Sequence, residues 1–169
     1  NDSGEGSLRW ALEQVDGPRI VVFDGVNDIQ LNEKIVIRDG DVTIAGKTAG
    51  GVQVHGDGIY IRADNVIMRG MMIRDAYDPL QVMDANNVMI DHNSIQWGVD
   101  ENTSIVAENG STSNVTFSNN IIAEALMNAD HSKGAHSMGM LVREGDDPDE
   151  TLDAISIHAN LFAFNNRRN

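Results

Sequence analysis

Apolar positions in this chain come mostly in short alternating runs, and only the first segment breaks that rule. Leu8, Trp10, Ala11, Leu12 and Val15 fall at helical spacing, with Ser3 or Ser7 available as an N-cap. They predict one short amphipathic helix within Gly6 to Val15. After Gly17-Pro18, Ile20 to Phe23 reads as a buried strand, and Ile29, Leu31, Ile35 and Ile37 supply further alternating positions. From there on strands dominate.

The later segments share a loose repeat. Apolar-x-apolar triplets stand at Val42-Thr43-Ile44, Val66-Ile67-Met68, Val88-Met89-Ile90, Val115-Thr116-Phe117 and Ile155-Ser156-Ile157, their starts separated by 24, 22, 27 and 40 residues. Five residues after a triplet begins come Met71, Asn93, Asn120 and Asn160, each leading into a second apolar run. A third set precedes the triplets, at Ile59-Tyr60-Ile61, Leu80-Gln81-Val82, Ser104-Ile105-Val106 and Met140-Leu141-Val142. Three short strands per turn of about two dozen residues predict an all-β fold, a right-handed parallel β-helix. Coils stacked about 4.8 Å apart would align Asn93, Asn120 and Asn160 into a ladder whose amides satisfy the bent backbone. The last interval implies an insertion, with its tip at Asp146-Asp147-Pro148-Asp149-Glu150. The helix serves as a short N-terminal cap over residues 1–16, and the coils occupy residues 20–169 of a single domain. A doubly wound sheet would need more helices, and a sandwich more hairpin signals than Asn109-Gly110.

Composition narrows the function. In 169 residues there is no cysteine, so disulfides and thiolate metal sites are excluded. Twelve basic residues against 26 acidic ones give a net charge of −14. That balance argues against a general nucleic-acid or anionic-membrane binder and in favour of bound cations. No apolar run approaches the roughly 20 residues of a membrane span, and no signal-peptide pattern opens the chain.

Candidate chemistry concentrates in Asn87 to Glu101, where two alternating runs surround Asp91, His92 and Asn93 and close on Asp100 and Glu101. Such acids suggest oxygen ligands for a hard cation. Asp91 and His92 read best as a buried, hydrogen-bonded structural pair beside the ladder. His131 and His136 bracket Lys133, but their spacing lacks a strong zinc motif.

The chain resembles the pectate lyases of the first polysaccharide lyase family. The likeness rests on Gly6-Ser7-Leu8-Arg9, Val42 to Ala49, Ile90-Asp91-His92, Trp97-Gly98-Val99-Asp100-Glu101, His131-Ser132-Lys133-Gly134-Ala135-His136 and Asn165 to Asn169, in family order. The resemblance implies a parallel β-helix, Ca²⁺ as cofactor, and β-elimination of polygalacturonate or pectin to 4,5-unsaturated products. It places calcium ligands at Asp78 and Asp100. The family's third carboxylate would fall at Ser104, a departure that would either weaken calcium binding or shift that ligand to Glu101. Lys133 matches the lysine that contacts the substrate carboxylate, and Arg168 the catalytic arginine. Arg167 and His136 join Lys133 as substrate contacts. Lys133, Arg167, Arg168 and calcium would then form a positive cleft on an acidic body.

The same resemblance implies a secreted or periplasmic monomer, with its export signal outside this chain. The family pattern continues Arg-x-Pro where this chain stops at Asn169. A C-terminally truncated helix would expose a coil edge prone to self-association and carry little activity. Three other readings stand beside the lyase: a non-catalytic β-helix that binds polysaccharide or serves as a scaffold, a calcium-independent pectin lyase, and a polygalacturonase-like hydrolase.

Overall fold

A computed structural model describes residues 2–169. Helix α1 (Leu8–Glu13) is followed by β1 (Arg19–Val22), β2 (Asp28–Gln30), β3 (Ile35–Ile37), β4 (Val42–Ala45), a 3-10 turn, β5 (Val52–His55), β6 (Ile59–Ile61), β7 (Val66–Arg69), β8 (Met71–Ala76) and β9 (Leu80–Met83). The remaining strands are β10 (Asn86–Asp91), β11 (Ser94–Gly98), β12 (Glu101–Val106), β13 (Thr112–Ser118), β14 (Ile121–Ala123), β15 (Met138–Arg143), β16 (Leu152–His158) and β17 (Leu161–Ala163).

Every third strand joins the same sheet. The orders are β1-β4-β7-β10-β13-β16, β2-β5-β8-β11-β14-β17 and β3-β6-β9-β12-β15, and all pairings within them are parallel. The chain thus winds repeatedly through three faces of a parallel β-helix. The five apolar triplets lie in register on the first face, with Val42, Val66, Val88, Val115 and Ile155 stacked. Their first and third residues point into the core through the fourth of these coils, where Val88, Ile90, Val115 and Phe117 are almost wholly shielded from solvent. Strand alternation dictates this placement, since residues i and i+2 share a face.

The corners repeat as faithfully as the strands. Gly70, His92, Asn119 and Ala159 all adopt left-handed backbone conformations between the first and second faces, and so do Asp75, Trp97, Glu124 and Phe164 at the end of the second. Within the first of these corners the asparagine ladder forms. Oδ1 of Asn120 accepts from the Asn93 N–H at 2.9 Å, and its Nδ2 donates to the Ile90 carbonyl at 2.9 Å. Asn160 serves Asn120 in the same way, and Asn93 serves Met71. Sharply bent backbone groups with no strand partner are satisfied by these amides. A second, shorter ladder escapes a search for triplets: Asn102 donates to the Ala123 carbonyl and to Oδ1 of Asn165, each at 2.9 Å.

Ser7 caps α1 by accepting from the Trp10 N–H at 3.1 Å. Leu8 and Leu12 bury against the first coil, each burial contributing about 1.5–3 kcal/mol. The expectation of a buried strand from Ile20 to Phe23 needs correction. Val21 and Phe23 turn inward, but Ile20 is 71% and Val22 61% exposed, because alternation sends them to an outer face that no described residue covers. The insertion also differs from expectation. Its extra length divides between residues 144–151 and a longer loop, 124–137, whereas Val99 and Asp100 alone make the equivalent turn one coil earlier.

Candidate active site

The turn from the second face to the third gathers the candidate residues from four successive coils. Asp78 lies between β8 and β9, Asp100 between β11 and β12, Lys133 between β14 and β15, and Arg167 and Arg168 follow β17. Stacking explains the convergence: Ala76 pairs with Gly98 and Leu80 with Thr103, so acids 22 residues apart in sequence become neighbours along the axis.

Asp78, Asp100 and Glu101 each offer a carboxylate oxygen, all within 4.8 Å of one another. Calcium takes oxygens at 2.3–2.6 Å, so ligands on opposite sides of one ion stand roughly 5 Å apart, and this spread fits. The environment fits too. Oδ1 of Asp100 is shielded from solvent and has no aligned hydrogen-bond donor, although Nε2 of His136 lies 2.6 Å away. A buried carboxylate oxygen left without a donor is a natural place for a cation. Asp78 is held by the Tyr60 hydroxyl at 3.3 Å and by the Glu101 backbone N–H at 3.2 Å.

Ser104 is buried in β12 between Gln81 and Leu141, with its hydroxyl unpartnered. Glu101, at the first position of that strand, reaches the cluster instead. Its side chain is 9% exposed. Burial, reinforced by the charge of Asp100, pushes its carboxyl up to about 7, and the fields of Arg168 and Lys133 pull the other way. Burial likewise raises Asp78, with Asp100 adding to the effect. Asp78 and Glu101, both held back from ionising beside a third carboxylate, make the kind of site that a divalent cation relieves.

Arg168 forms an ion pair with Glu101 through Nη1. Its backbone continues the third face: Gly139 and Met140 donate to the carbonyls of Arg167 and Arg168 at 2.8 and 2.9 Å. Position 139 must be glycine for this approach, because a methyl group there would collide with the Arg168 carbonyl oxygen. Lys133 is exposed on the loop above the cluster.

His136, expected among the substrate contacts, is directed to Asp100. His131 also belongs to this cluster, with Nε2 facing Oδ2 of Asp100 at 3.5 Å. Asp100, His131 and His136 are close enough to suggest a metal of their own. Yet Nδ1 of His131 accepts the Lys133 N–H at 3.1 Å, so in the neutral ring Nε2 carries the hydrogen and offers no lone pair to a metal. From the sequence His131 stands out only as a bracket beside Lys133, and His136 as a substrate contact. The spacing gave no sign that both rings fold back onto an acid one coil away.

Asp91 and His92 occupy a different corner. Asp91 is buried and bonded to Ser118 at 2.7 Å, Asn119 at 3.0 Å, His92 at 2.8 Å and Arg69 at 2.9 Å. His92 is not buried as expected; its side chain is 45% exposed, since its left-handed backbone carries it outward. Burial opposes ionisation of Asp91, but the bonds from Asn119, Ser118 and His92 outweigh it and hold the carboxyl well below the usual range.

No family model matches the chain. Over 178 aligned residues it is 39% identical to proteins named probable pectate lyase C from Aspergillus flavus and Aspergillus oryzae, an alignment that covers 100% of this chain. A protein of the same name from Emericella nidulans is 34% identical over 177 residues, covering 99% of the chain. The chain spans 38% of the length of the first two and 37% of the third. The pectate lyase resemblance therefore extends over the whole of this chain.

Proposed function

We propose that this chain carries the calcium-assisted β-elimination site of a pectate lyase, with polygalacturonate as substrate and 4,5-unsaturated oligogalacturonides as product. One observation carries the reading: a single turn, repeated over four coils, presents three converging carboxylates, a lysine and two arginines. Asp78, Asp100 and Glu101 would hold the metal. Bound calcium supplies positive charge that draws the uronate carboxylate in and favours loss of the neighbouring C5 proton.

The chain's own cations do the rest. Lys133 meets the charge that develops on the carboxylate as C5 is deprotonated. Arg167, on the adjoining coil, binds a further uronate. Arg168 takes the C5 proton. The electron pair left at C5 forms the C4–C5 double bond, the bond from C4 to the glycosidic oxygen breaks, and that oxygen leaves with a proton from solvent. A guanidine base demands an alkaline medium and release from Glu101. Among the described residues no helix is long and apolar enough to cross a membrane. The polymeric substrate places the work outside the cell.

The test is absorbance of unsaturated product from polygalacturonate at alkaline pH, with and without a chelator. Product that disappears on chelation supports the reading. Reducing ends without that absorbance overturn it in favour of hydrolysis, and polymer binding with neither favours a scaffold. Arg168→Lys should keep the fold by circular dichroism and lose turnover at least about 100-fold; retained turnover rejects Arg168 as the base.

A further inference from the structure

We infer that His131 is a positioning residue that locks the loop carrying Lys133 onto the coil carrying Asp100, and so sets the lysine against the metal carboxylates. The inference rests on the lyase reading of that site and adds to it a residue that touches neither metal nor substrate.

Residues 124–137 form the longest turn between the second and third faces, and such a loop needs anchors to hold a charged side chain in place. His131 supplies one from each edge of its ring. Nδ1 accepts the backbone N–H of Lys133 at 3.1 Å, which fixes the tautomer, and Nε2–H is thereby turned toward Oδ2 of Asp100 at 3.5 Å. The ring has little room to rotate. It is stacked between Tyr77, at 5.6 Å and 29°, and His136, at 4.0 Å and 13°, and its side chain is 1% exposed. The Tyr77 carbonyl in turn accepts from the N–H groups of Val99 and Asp100, each at 3.0 Å. The imidazole thus joins three successive coils: Tyr77 on one, Asp100 on the next, and its own loop on the third. Partners in this outer layer orient ligands, and losing one costs about 10- to 100-fold in metal affinity or activity.

Three measurements test this. In metal-free protein, the imidazole ¹⁵N shifts of His131 should report protonated Nε2 and bare Nδ1; the opposite tautomer overturns the proposal without any variant. His131→Gln keeps an amide donor toward Asp100 and loses the Nδ1 acceptor, whereas His131→Asn keeps a short acceptor and loses the reach to Asp100. Terbium titrated as a luminescent calcium probe should bind about 10-fold more weakly to His131→Asn than to wild type, and His131→Gln should bind it within about 3-fold of wild type. His131→Gln should instead lower kcat at saturating calcium by about 10-fold, with the melting temperature of both variants recorded as a control for folding. Equal terbium affinity in wild type and both variants overturns the proposal. If wild type yields no unsaturated product, the lyase reading fails, while the tautomer and terbium results still decide the role of His131.

Discussion

Calcium binding at this site should release a proton, and Glu101 should be its source. Its carboxyl is raised to about 7 from a usual 4.5, chiefly by burial and then by Asp100. A cation that recruits Glu101 must displace whatever proton it holds. With one titrating ligand near 7, the fraction ready to bind falls about 10-fold per pH unit below that value. Apparent calcium affinity should therefore drop about 100-fold between about pH 8 and about pH 5. Calorimetric titration in buffers of different ionisation enthalpy measures both the affinity and the protons released. Close to one proton should appear near pH 6, and Glu101→Gln should abolish that release and flatten the profile. A wild-type affinity that changes less than about 3-fold over this range, or an unaltered slope in Glu101→Gln, refutes the reasoning. The sign for stability follows from the same shift. A carboxyl raised in the folded state favours folding below its unfolded value, and this contribution is lost as pH rises through about 7. Without calcium, the melting temperature should fall from about pH 5 to about pH 8 on this account, and calcium should restore it at the alkaline end.

Two further predictions concern the scaffold. Asn120→Ala strips partners from the buried Asn93 N–H and the Ile90 carbonyl, and should cost about 3 kcal/mol in denaturant unfolding; a loss below about 1 kcal/mol would show that water substitutes for the ladder. Asp91, held low by its hydrogen bonds, contributes stability above its unfolded value that is lost as pH falls through its folded one, so wild type should lose stability between about pH 5 and about pH 2 more steeply than Asp91→Asn, and parallel curves would deny the linkage.

Much of the architecture was legible because it rests on local periodicity. Alternation fixes which residues of Val88 to Ile90 point inward, and the spacing of Asn93, Asn120 and Asn160 equals the coil length, so face and ladder both follow from counting. The relation of Asp78 to Asp100 follows in the same way. What escaped depends on backbone conformation or on distant partners. Simple alternation sets Glu101 apart from Asp100, but the two-residue turn at Val99 and Asp100 brings both to one cluster. Left-handed corners at Trp97, Glu124 and Phe164 carry no glycine or asparagine signal. Ile20 and Val22 read as core because composition alone does not say which faces of a coil find a cover.

The uneven loop lengths have a consequence for how such a protein can change. β12 still pairs with β15, and β14 with β17, although residues 124–137 intervene where the preceding coil has only Val99 and Asp100. The stack tolerates an excursion at that corner because each strand takes its register from the coil below and not from the length of the turn. The corner therefore behaves as a mounting rail. Segments of different length and chemistry can be fitted along it, each facing the same line of carboxylates, while the spool beneath stays unaltered. A new substrate preference could arise there by exchanging one loop, with no core residue replaced.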